Sequence, residues 1–139
     1  MRHALVLCGL LALSATACDS AGDVQPLGGL LYVSLQGSST LLLESDLDLP
    51  CGPRIVTEET GGGGRFLITV LGTEPTSGTC TAVGPVRKTV TIETGGANPL
   101  AIDIHYGGFV DEYRYSTGSG GARLDSVRTD VTRLGPRPD

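Results

Sequence analysis

The chain predicts an all-β domain, an antiparallel β-sandwich of about seven strands with Ig-like general architecture, a small β-barrel being the alternative. Three observations carry that expectation. Apolar and polar residues alternate with a period of two along residues 30–116. Glycine pairs and Pro/Gly clusters punctuate the alternating runs. No ten-residue stretch among those runs carries an apolar stripe at helical spacing.

The elements follow in order. Leu30 to Leu35 is the first strand. From Leu41 to Leu49, Leu41, Leu43, Leu47 and Leu49 share one face, and Glu44, Asp46 and Asp48 share the other. A strand with one wet face requires that division. Arg54 to Thr57 and Arg65 to Leu71 flank Gly61 to Gly64 and read as two strands joined by a flexible glycine loop. Val86 to Thr94 places Val86, Val90 and Ile92 on one face. Leu100, Ile102, Ile104 and Tyr106 then alternate with Ala101, Asp103 and His105. Gly107-Gly108 leads into a run from Phe109 to Tyr115. Two glycines between β-rich runs predict a type I′ hairpin, because both central residues need positive φ. Ser116 to Gly121 reads as flexible. Beyond it, Leu124, Val127, Val131 and Leu134 fit a helix face, whereas Val127, Thr129 and Val131 fit a strand.

At 139 residues the chain suits one domain. A hydrophobic fraction of 40% supports a core and excludes full disorder. The net charge of −5, with Lys88 the single lysine, excludes nucleic acid as a main partner, since phosphate binding needs clustered cations.

The N-terminus is an address. Met1-Arg2-His3 is a short basic region, Ala4 to Leu13 is apolar, and Ser14 to Ala17 is small. That layout is a secretory signal peptide, and ten apolar residues are too few to span a bilayer, which takes about 20. The run Ala15-Thr16-Ala17-Cys18 resembles the lipobox of bacterial lipoproteins, although Ala15 stands where that pattern prefers Leu. The resemblance covers residues 1–18 only. It implies cleavage before Cys18, acylation of Cys18, and a domain anchored to the inner or outer membrane of a bacterial envelope. Ordinary cleavage after Ala17 would instead leave Cys18 a free thiol. The expected organisation is residues 1–17 as leader, 18–28 as a lipid-anchored tether, 29–116 as the sandwich, and 117–139 as a flexible segment with a short helix or strand.

Cys8 falls in the leader and Cys18 is spent on lipid, so Cys51 and Cys80 form an even pair. In an oxidising compartment that pair predicts one structural disulfide.

Candidate chemistry is sparse. His105 is the one histidine of the mature chain, and Asp103 lies on the same strand face. An enzyme or small-ligand carrier in the same compartment would have to use them, but no G-x-S-x-G elbow supplies a nucleophile. Glu44, Asp46 and Asp48 read as a solvated stripe rather than a calcium site, because a strand cannot curl round one ion. Asp111 and Glu112 point to opposite faces and are not an acid/base pair. Gly61 to Gly64 lacks the lysine and hydroxyl of a phosphate loop. Tyr106, Phe109, Tyr113 and Tyr115 gather round the Gly107-Gly108 turn, as a binding surface or as cross-strand core pairs. The expectation is a non-enzymatic binding, adhesion or assembly module without cofactor or metal. It meets the membrane through Cys18, and its further partner is another envelope protein or a glycan.

Overall fold

The computed structural model describes residues 23–76 and 78–139. The leader, the lipobox-like run and Cys18 lie outside the described residues.

Among the described residues nine strands form two packed sheets: β1 (Leu31–Gln36), β2 (Thr40–Pro50), β3 (Ile55–Gly62), β4 (Arg65–Thr73), β5 (Val83–Thr91), β6 (Leu100–Tyr106), β7 (Phe109–Gly118), β8 (Gly121–Arg128) and β9 (Thr132–Leu134). One sheet has the order β5-β2-β1-β9, the other β3-β4-β6-β7-β8. The β-sandwich is therefore present, with the seven expected strands and two more. Two ladders depart from the antiparallel expectation, since β1 runs parallel to β9 and β4 parallel to β6. Both arise because the intervening chain crosses to the opposite sheet, so the returning strand arrives in the same direction.

Alternation explains the core. Leu31, Val33, Leu41, Leu43, Ile68, Val86, Ile102 and Ile104 are fully buried between the sheets. Burying each such side chain contributes about 1.5–3 kcal/mol. The alternation expected along β2 fails at one point. A register shift between Glu44 and Asp48 turns Leu47 out to 38% exposure. β2 advances four residues from Glu44 to Asp48 while β5 advances two from Arg87 to Pro85, so two extra residues bulge outward with Leu47, parity is kept, and Leu49 still packs against the core.

Turn chemistry follows the glycines. Gly107 and Gly108 have φ of 58° and 84°, as a type I′ turn demands. The expected four-glycine loop is shorter. Gly61 and Gly62 extend β3, and Gly63-Gly64 alone makes the turn, again with positive φ.

Residues 117–139 are not the flexible segment that their composition suggests. β7 continues to Gly118, where Asn98 clamps its backbone: Thr117 N–H donates to Asn98 Oδ1 (3.0 Å) and Asn98 Nδ2 donates to the Thr117 carbonyl (2.8 Å). β8 then pairs with β7, and β9 crosses to pair with β1.

The crossover rests on Asp111, which is fully buried. Its Oδ1 accepts from Asp130 N–H (2.8 Å), and its Oδ2 accepts from Val131 N–H (3.0 Å), Thr132 N–H (2.6 Å) and Thr132 Oγ1 (2.5 Å). Burial alone would raise the carboxyl pKa, but these four donors outweigh it and hold the pKa below the ordinary 3.8.

The expected tether is shorter than 18–28 at its C-terminal side. Gln25 and Thr73 exchange both backbone hydrogen bonds, at 2.9 and 2.8 Å. Tyr106 Oη donates to the carbonyls of Leu27 (3.2 Å) and Gly29 (3.1 Å). Gly72 makes the close approach possible. A Cβ there would sit 2.1 Å from the Gln25 carbonyl oxygen, and φ is +148°. Gly72→Ala is expected to cost about 1–3 kcal/mol, read as a lower melting temperature, and to free residues 23–29 for amide exchange. An unchanged exchange pattern would show that Gln25 is not held by this contact.

Candidate functional site

All connections near the disulfide gather at one end of the sandwich. There β2, β4, β6 and β8 end, and β1, β3, β5, β7 and β9 begin. Cys51 and Cys80 are bonded, as expected, with Cα atoms 5.4 Å apart. Cys51 takes φ of 68°, a left-handed conformation uncommon for a side-chain-bearing residue. Its N–H donates to the Ala82 carbonyl (2.8 Å), and Gly52 N–H donates to the Leu49 carbonyl (3.0 Å).

From this end a cleft of about 900 Å³ runs along the side where β3 and β5, edge strands of opposite sheets, face each other. Ligand clefts span about 300–1,000 Å³. Its polar lining comes chiefly from Arg54, Glu74, Arg87, Lys88 and Thr89. Arg54 and Arg87 are partners in an isolated parallel bridge between the sheets. Like charges directly opposite one another in a ladder are destabilising. Among the described residues neither arginine forms an ion pair. Lys88 spans the same seam to Glu59, 3.1 Å away. Burial pushes the Glu59 carboxyl up, but hydrogen bonds from Thr57 and Lys88 hold it below its ordinary value. Glu44 stands opposite Arg87 in the β2–β5 ladder and Glu74 shares the cleft, but neither forms an ion pair with the arginines. The two adjacent guanidiniums are therefore suited to a carboxylate or other oxyanion, which guanidinium binds in a bidentate fork.

Of the two readings for the aromatic residues round the Gly107-Gly108 hairpin, the core reading fits the three tyrosines. Tyr106, Tyr113 and Tyr115 are buried, and only Phe109 is exposed, at 50%. Each tyrosine points inward and finds a partner for its hydroxyl. Tyr113 bonds Thr132 Oγ1, and Tyr115 donates to the Ser38 carbonyl. Burial, partly countered by Thr132, pushes the Tyr113 hydroxyl up to about 12.

Asp103 and His105 lie on the outer face of β6, but Asp103 is committed elsewhere. Its Oδ2 pairs with Arg65 from the neighbouring β4, and its Oδ1 is buried without a partner. The acidic stripe is likewise engaged. Asp46 Oδ1 accepts from Leu30 N–H (3.0 Å), and Asp48 pairs with Arg137 (2.5 Å). Among the described residues no group of three or more His, Cys, Asp or Glu could hold a metal ion.

The cationic cleft joins strands of opposite sheets, so no pattern along a single strand encodes it. The available signal was the disulfide. Arg54 follows Cys51 by three residues and Arg87 follows Cys80 by seven, so the bond draws both arginines to one place.

No protein-family model matches the chain, and no curated protein and no solved structure matches it.

Proposed function

We propose that the protein is a non-enzymatic binding module, lipid-anchored through Cys18 in a bacterial envelope, whose cleft receives an acidic extended segment of another envelope protein. The observation that carries the binding role is the Arg54–Arg87 pair, side by side and without an ion pair among the described residues, in a cleft between the edge strands of the two sheets. Free edges carry unpaired backbone N–H and C=O groups, which suit an extended peptide. The anchoring half of the proposal rests on the lipobox-like Ala15 to Cys18 and on the described chain being fastened from Gln25 onward.

The test uses a fluorescent poly-glutamate peptide and, in a second arm, an anionic polysaccharide. Replacing Arg54 and Arg87 with alanine is expected to weaken peptide binding roughly tenfold per arginine, because hydrogen bonds to charged groups contribute about 1.5–3 kcal/mol. Both side chains are exposed, so the melting temperature should hardly change. Equal binding by wild type and the double variant overturns the assignment of the cleft. Preference for the polysaccharide replaces the peptide by a glycan.

A further inference from the structure

Of the eight large hydrophobics exposed among the described residues, seven lie at or near the end of the sandwich that carries the disulfide. On the five-stranded sheet it exposes Leu71, Phe109, Val110 and Val127. On the four-stranded sheet it exposes Leu47 and Val83, and Val24 stands beside Gly72 in the incoming chain. Among the described residues, Leu134 is the one large hydrophobic of comparable exposure that lies elsewhere. Singly scattered apolar residues are ordinary, whereas a cluster at one pole marks an interaction surface.

The incoming chain says what covers it. Gln25 is locked to Thr73 at this same end. Gln25 lies seven positions after Cys18, a reach of at most roughly 25 Å. Strands of ten or eleven residues make the sandwich roughly 33–36 Å long. A leash shorter than the domain, fixed at one pole, cannot bring the opposite pole to the bilayer.

We infer that this apolar end lies against the lipid head-group layer, with Phe109, Val110 and Leu71 dipping into the interface. The inference rests on the anchored reading of Cys18. Apolar burial at the interface then supplements the acyl chains and fixes the orientation of the domain. The cleft begins at this end, where Val83 lines it, and runs up the side of the sandwich between β3 and β5, so its far part, at Lys88 and Thr89, points away from the membrane.

The chain contains no tryptophan, so one introduced indole reports on its own surroundings. Full-length Phe109→Trp, Val127→Trp and Leu134→Trp variants are produced with their leader in a lipoprotein-processing bacterium. They are then placed in phosphatidylethanolamine/phosphatidylglycerol vesicles carrying a head-group nitroxide lipid, and the intact mass of each sample is measured. Blue-shifted, strongly quenched emission at positions 109 and 127, with unquenched emission at 134, supports the inference; the second reporter guards against a misfolded first. Acylated protein with equal quenching at all three positions overturns the apposition and leaves the anchor standing. Absence of acyl mass on Cys18 overturns the anchored reading itself, and the apposition with it.

Discussion

Asp111→Ala is expected to destabilise the domain by about 3–5 kcal/mol, because it strands buried donors that had a charged acceptor. Asp130 N–H, Val131 N–H, Thr132 N–H and Thr132 Oγ1 all converge on that one carboxylate. Without it, the turn between β8 and β9 loses its centre, and β9 loses its registration on β1. The melting temperature should fall by roughly 10–20 °C. The sign of the pH dependence follows from the depressed pKa. The carboxylate contributes its full stabilisation above the ordinary value of 3.8, and that contribution is lost as pH falls through the lower folded value. The gap between wild type and Asp111→Ala should therefore narrow on acidification. A shift of only a degree or two at neutral pH, or a gap that stays constant with pH, would show that the turn is held by other contacts.

Asp111 also marks the limit of what is legible in the sequence. Alternation places it on the inward face of β7 beside Tyr113 and Tyr115, and its opposition to Glu112 follows from period two. Its donors lie about twenty residues further on, across a change of sheet, and no local pattern encodes that meeting. The same limit hid the C-terminal strands. β8 covers only the rim of the core with Ala122 and Leu124, so its alternation is faint beside that of β4 or β6. β9 is three residues long, too short for any periodicity. The tyrosines were ambiguous for a related reason. Parity says which residues share a face, but the inward direction for Tyr113 is settled by Thr132, which arrives from the other sheet. What was legible was local: the period-two core, the Gly107-Gly108 turn, and the Cys51–Cys80 pair, whose two cysteines flank the seam where the arginines meet.

That seam joins stability to binding, and removing the disulfide should affect both. Replacing Cys51 and Cys80 together with alanine opens a loop with a sequence separation of 29. In the chain-entropy account this costs about 3–4 kcal/mol, a fall of roughly 12–16 °C in melting temperature. The double replacement leaves no unpaired thiol at the site to complicate the comparison. Both arginines remain in the variant, yet their meeting depends on the connections that the disulfide ties. Arg54 follows the turn held by Cys51, and Arg87 follows the loop held by Cys80. The variant should therefore bind the poly-glutamate probe more weakly than wild type even well below its melting temperature, and reduction of the wild-type protein should have the same effect. The opposing restraint is the Lys88–Glu59 ion pair with the Arg54–Arg87 backbone bridge, which also spans β3 and β5. Part-exposed ion pairs contribute little, about 0–1 kcal/mol. The disulfide should dominate. A variant that melts earlier but binds with undiminished affinity would show that the backbone bridge positions the arginines unaided, and would confine the disulfide to stability.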